Sequence, residues 1–129
     1  MKKFLTIVGI VLALIIIFAT SMFFYIKSMK LPEINIGTVD NSKLNDGTYT
    51  GDYSAGLVKV SLKVTIDNKT IKDIIIIKHE NGLGKKAEVI KDMIINKQTI
   101  DVDTISGATI SSECIRKAVE IALNKSINK

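Results

Sequence analysis

Ten residues near the C-terminus, Asp103-Thr104-Ile105-Ser106-Gly107-Ala108-Thr109-Ile110-Ser111-Ser112, crowd hydroxyls around a Gly-Ala pair. They join a strand-like stretch, Thr99 to Asp103, to an amphipathic helix expected from about Ile110 to Lys125. A small-residue turn at such a junction leaves the N–H groups of the first helical turn without partners. It also sets the Thr109 hydroxyl beside the positive end of the helix dipole. That combination suits a phosphate. Gly107 permits a tight turn and removes a side chain where a phosphate must approach. Ala108 keeps the bulk low, and Thr109 offers an oxygen that can be esterified. Ser106, Ser111 and Ser112 can donate hydrogen bonds to the phosphate or cap the helix. The same residues also make an ordinary helix N-terminus with capping hydroxyls, and spacing alone favours that plainer reading.

The elements that would position this run are legible upstream. Asp46-Gly47 opens the folded part, and Thr48 to Tyr53, rich in Thr and Tyr and bounded by glycines, reads as an edge strand. Val58, Val60, Leu62, Val64 and Ile66 alternate with Lys59, Ser61, Lys63, Thr65 and Asp67, the period of a strand buried on one face. Asp67-Asn68-Lys69 supplies a turn. The strand Thr70 to His79 contains Ile74-Ile75-Ile76-Ile77, which predicts a central strand covered on both faces. Gly82 and Gly84 break that pattern, and from about Lys85 to Asn96 the residues Ala87, Ile90, Met93 and Ile94 fall at helical spacing. With the short strand Thr99–Asp103 and the terminal helix, the order is β-β-β-α-β-α. The fold class is α+β, a small and mainly antiparallel sheet with two helices.

One transmembrane helix is expected before this domain. Phe4 to Ile26 is an uncharged run of 23 residues, and a helix of that length is roughly 35 Å long, enough to cross a bilayer. Ala19 and Ser21 have the small-x-small spacing of a signal cleavage site, but the apolar run continues through Met22, Phe23, Phe24, Tyr25 and Ile26. A signal h-region stops at about 7–15 residues, so an uncleaved anchor is the stronger reading. The division is an anchor over 1–30, a linker over 31–44 that holds the sole proline, Pro32, and a domain over 45–129. Read as a fully stretched tether, the linker spans on the order of 50 Å.

Charge and cysteine content exclude several functions. Four of the 18 basic residues (Lys2, Lys3, Lys27 and Lys30) flank the apolar run and all 13 acidic residues follow it, so the remainder carries 14 basic and 13 acidic groups. Without a concentrated basic stretch, and without Trp, no nucleic-acid partner is expected. The single cysteine, Cys114, lies on the apolar stripe Ile110, Cys114, Ile115, Ala118, Val119, Ala122 and reads as a packed, inert thiol. One histidine and one cysteine cannot supply the usual ligand set of a protein metal site.

The ten-residue run resembles the Asp-x-x-Ser/Thr-Gly-Ala-Thr-x-Ser-Ser signature of the FMN-binding domain family. Asp46-Gly47-Thr48-Tyr49-Thr50-Gly51 is similar to that family's opening Gly-x-Tyr-x-Gly. The stretch His79-Glu80-Asn81-Gly82-Leu83-Gly84-Lys85 is similar to its His-x-x-Gly-x-Gly-Lys segment, followed by a helix and Gln98. Glu80–Gly84 is one residue shorter than the corresponding run in the FMN-carrying subunits of Rnf and sodium-pumping NADH:quinone oxidoreductase complexes, which points to a small stand-alone module.

The resemblance implies FMN held through a phosphoester on Thr109, with Ser106, Gly107, Ala108, Ser111 and His79 completing the cofactor-binding set. It implies that Asp103 helps a flavin transferase, using FAD as donor, to recognise its target. At the end of a strand, His79 has a structural reading of equal weight. Tyr49 and Tyr53 read as packing residues, and Lys85 and Lys86 as a solvated helix face. The expected role is a membrane-anchored electron carrier between redox proteins or a quinone, with no catalytic residue and no metal of its own. Its domain is expected on the extracytoplasmic face, although Lys2 and Lys3 balance Lys27 and Lys30 in the positive-inside count. The alternatives are a non-redox binding module with Thr109 unmodified, and an oxidoreductase component that binds FMN reversibly.

Overall fold

The structure is a computed structural model that describes residues 1–28, 33–80 and 84–129. Met29, Lys30, Leu31 and Pro32, and Asn81, Gly82 and Leu83 of the glycine-rich segment, lie outside the described residues. The chain divides into two compact units.

The first unit is one helix, α1 (Lys2–Ser28), 27 residues long with none buried. At about 1.5 Å per residue it is roughly 40 Å long, more than the ~30 Å hydrocarbon core of a bilayer. It is thus long and apolar enough to cross a membrane. Both of its threonine hydroxyls bond back to the helix: Thr6 Oγ1 donates to Lys2 O at 2.9 Å and Thr20 Oγ1 to Ile16 O at 2.9 Å. Such back-bonding to the preceding turn satisfies polar groups in an apolar environment.

The second unit is α+β. Strands β1 (Gly47–Ala55), β2 (Val58–Asp67) and β3 (Thr70–Glu80) form an antiparallel sheet in the order β1-β2-β3. Two-residue turns, Gly56-Leu57 and Asn68-Lys69, set the registers Ala55↔Val58 and Asp67↔Thr70. The second turn has positive φ at both residues, 52° and 59°, the type I′ pattern that matches strand twist. Val60, Leu62, Val64 and Ile66 of β2 are buried, as their alternation predicts. After β3 come a 3-10 turn (Lys85–Val89), helix α2 (Ile90–Lys97) and the long helix α3 (Thr109–Ile127). The core lies between one face of the sheet and the stripe Cys114, Ile115, Ala118, Val119, Ala122 and Leu123 of α3.

Three expectations are corrected. First, the four-isoleucine strand is at the sheet edge, not its centre: Ile74 is buried, but Ile75 and Ile77 are 53% and 54% exposed. Consecutive β-branched residues fit a strand by conformation, and only alternate ones face the core. Bulges on β3, opposite Ser61/Leu62 and Thr65/Ile66, further shift which residues do so. Second, Thr99–Asp103 forms no strand. Thr99 Oγ1 accepts from Asp101 N (3.1 Å), Val102 N donates to Ile100 O (3.0 Å), and Arg116 Nε donates to the same carbonyl (2.8 Å). These local bonds displace a ladder while Ile100 and Val102 still turn inward. Third, the linker is docked where it is described. Ile34, Ile36 and Val39 pack on the core, and Leu44 is buried within it. Glu120, almost fully buried on α3, accepts from Gly37 N (3.1 Å) and pairs with Lys117 (3.1 Å), whose Nζ also reaches Asn35 O (2.8 Å).

The backbone of β1 reaches α3 at Gly51. A Cβ built there would lie 1.8 Å from the Ala118 carbonyl oxygen and 3.2 Å from the Ala122 methyl. Small residues on both sides let strand and helix meet almost backbone to backbone. Gly51→Ala is therefore expected to cost about 1–3 kcal/mol by overpacking, read as a lowered melting temperature of the full chain in detergent.

Burial pushes the Cys114 thiol up to about 11, and Glu113 adds to the rise. The unfolded thiol ionises near 9.0, so between those values the folded state keeps a proton that the unfolded state has lost. Stability is then undiminished below about pH 9 and falls as pH rises toward 11. Urea midpoints across that range should fall for the native protein and flatten in Cys114→Ala.

Candidate functional site

The signature run begins with a tight turn. Ala108 N donates to Ile105 O at 2.9 Å, closing a turn whose third residue, Gly107, has φ +78°. A positive φ at that position is the type II pattern and favours glycine. Ser112, one turn into α3, locks the loop from behind. Its hydroxyl donates to Ala108 O (2.7 Å) and accepts from Ile105 N (3.0 Å). Ser112 is completely buried, so the hydroxyl that sequence made a candidate for phosphate or cap instead holds the turn.

Ahead of this clamp the helix start is open. Ala108, the N-cap, gives no side-chain cap, and no acidic residue stands in the first turn. The N–H groups of Thr109, Ile110 and Ser111 have no carbonyl four residues back within the helix. Asp103, Ser106, Gly107 and Thr109 are exposed, whereas Ala108 and Ser111 are buried. An open hollow of about 280 Å³ is lined by Val58, Gly84, Gly107, Ala108, Thr109, Ile110 and Ser111. The structure thus brings Gly107, Ala108, Thr109 and Ser111 to one hollow. Ser106 is the exposed neighbour of Gly107 at its rim.

His79 is placed differently. Its ring is 2% exposed, and Nδ1 lies 3.0 Å from Glu88 Oε1 on the 3-10 turn. The contact ties β3 to the turn that carries Gly84 and Lys86, and His79 is not among the residues lining the hollow. Tyr49 donates to Asp46 O (3.2 Å) and is part of the core, and Tyr53 packs against that core.

Lys86 was not expected at the site. A Cβ built on Gly107 would lie 2.8 Å from Lys86 Nζ, so the ammonium occupies the space that the glycine leaves free. Helical spacing had placed Lys86 on a solvated face. Lys86 is indeed exposed, but the 3-10 turn Lys85–Val89 also sets its ammonium against the signature loop. A larger open hollow of about 480 Å³, lined by Asp52, Tyr53, Ser54, Lys59, Val60, Ser61 and Lys78, shares no residue with the signature. The smaller one is the candidate site: it holds the signature residues Gly107, Ala108, Thr109 and Ser111 at the start of α3, with the Lys86 ammonium against Gly107.

These donors suit a phosphate. The glycine removes bulk, the helix start supplies N–H groups, Lys86 supplies positive charge, and Thr109 supplies an accessible oxygen.

The sequence model of the FMN-binding domain family matches residues 56–124, more than half of the chain. An uncharacterized protein of Treponema pallidum (strain Nichols) is 31% identical over 87 residues, covering 65% of this chain and 24% of that protein. The NADH:acrylate oxidoreductase of Vibrio harveyi is 33% identical over 85 residues, covering 64% of this chain and 8% of that enzyme. The chain therefore spans a quarter or less of the length of these curated relatives.

Removing the Ser112 hydroxyl leaves the Ile105 N–H without its acceptor. Ser112→Ala is expected to lower unfolding stability by about 1–3 kcal/mol, measured by urea titration.

Proposed function

This chain belongs to the FMN-binding domain family, and from that footing we propose that it is a membrane-anchored flavoprotein carrying FMN as a phosphoester on Thr109. The observation that carries this reading is the Thr109 hydroxyl itself. It is exposed at the open start of α3, beside a positive-φ glycine and in a hollow that no acidic side chain lines among the described residues.

Attachment is balanced by transfer from FAD. The Thr109 oxygen forms a bond to the phosphorus of the FMN half, the pyrophosphate P–O bond breaks, AMP leaves, and the hydroxyl proton passes to a base. A flavin transferase supplies that base, and the exposed Asp103 lies on the surface such an enzyme would read. The ester leaves one negative charge, which the first turn of α3 favours by roughly 0.3–1 kcal/mol. That energy orients the phosphate but could not retain a free coenzyme. A covalent tether gives an effective concentration near millimolar. Bonding therefore suits a domain facing outside the cytoplasm, where free flavin is dilute.

Bound there, FMN supplies electron transfer. The protein's part is to hold it. Ser112 fixes the loop, Ser106 and Ser111 present hydroxyls near the phosphate position, and Val58 and Ile110 give the hollow apolar walls. We assign the chain as a carrier between a donor and a redox protein or quinone, with α1 crossing the membrane. The V. harveyi relative is an oxidoreductase by name, which supports a redox role.

Denatured protein from cells with an active flavin transferase should fluoresce under ultraviolet light in a gel. Thr109→Ala should abolish the band at unchanged protein level. Flavin lost on denaturation would instead favour reversible binding.

A further inference from the structure

Resting on the reading of Thr109 as the flavin-bearing residue, we propose that Lys86 is the counter-ion of the phosphodiester. Its Nζ stands 2.8 Å from where a Gly107 Cβ would be, and Cε stands 3.5 Å from it. The ammonium is thus held over the one residue of the turn that has no side chain, two positions before Thr109. The Lys85–Val89 turn that presents it is anchored at two points. Ala87 is fully buried, and Glu88 is bonded to His79 of β3. Gly84, directly before this turn, lines the same hollow as Thr109. Among the described residues, no acidic side chain lines the hollow, and none stands in the first turn of α3 to compete for the cation.

The charge works at two stages. Before the ester forms, Lys86 attracts the anionic pyrophosphate of the donor flavin to the Thr109 hydroxyl. Afterwards it neutralises the single charge that remains. This gives His79 and Glu88 a positioning role, through the turn they fix, that needs no contact with the flavin. Lys86 is exposed, so its interaction is screened by salt and of surface strength, worth roughly two- to fivefold in rate at low ionic strength.

The test uses the full chain, co-produced with a flavin transferase and purified in detergent, as wild type, Lys86→Gln and Lys86→Arg. The decisive readout is the ³¹P resonance of the loaded protein. It should differ between wild type and Lys86→Gln at low salt, converge with wild type at high salt, and be largely restored by Lys86→Arg. Attachment followed by mass should be about two- to fivefold slower in Lys86→Gln, with the melting temperature of unloaded protein unchanged.

Coincident ³¹P resonances in wild type and Lys86→Gln overturn the assignment, whatever the attachment rate; a slower rate alone would make Lys86 a contact for the transferase. Wild-type chain without flavin mass overturns both this assignment and the ester on Thr109. Loaded wild type with coincident resonances overturns the assignment alone.

Discussion

The near contact of β1 with α3 governs everything downstream of it. Gly51 lets the strand backbone approach the Ala118 carbonyl, so the helix cannot slide or roll without a clash. Ile115, Val119 and Leu123 then bury their side chains against the sheet. A helix fixed along this stripe has its first turn fixed in space as well, and that turn carries Thr109. A rigid element thus places the exposed Thr109 hydroxyl far more reproducibly than a loop of the same residues could.

The turn before α3 is held by different means. Ser112 reaches back from inside the helix and engages one carbonyl and one N–H of the loop. That leaves Ser106 and Thr109 facing outward and the helix start uncapped. Capping residues would normally be stabilising there. Their absence leaves N–H groups open to an anion, a local sacrifice consistent with a ligand site. The docked segment before β1 has the opposite character. Its hydrogen bonds with Glu120, Lys117 and Gln98 tie it to the domain.

The sequence made much of this visible. Alternation in β2 and the apolar stripe of α3 are dictated by burial on one face, and both are found. Ser-Gly-Ala-Thr stood out through its resemblance to a family signature, because by spacing alone it reads as an ordinary helix N-terminus; the positive φ of Gly107, the buried Ala108 and the exposed Thr109 are what the fold adds. What was hidden depends on tertiary partners. Nothing local distinguishes Thr99–Asp103 from a strand until Arg116 takes the Ile100 carbonyl. Nothing in Ile74–Ile77 tells that one side of the sheet stays open. Gln98, whose amide bonds both the N–H and the C=O of Ile71 and so closes part of the edge of β3, has no signal in periodicity. Lys86 is exposed, as helical spacing implied, but its approach to Gly107 is a tertiary contact that periodicity does not signal.

The most direct test is the mass of the tryptic peptide spanning residues 98–116, taken from protein isolated from its native membranes and fragmented to locate any added group. The account predicts an addition equal to FMN less one water, confined to Thr109. An unmodified peptide as the sole form, or an addition on another residue, would contradict it.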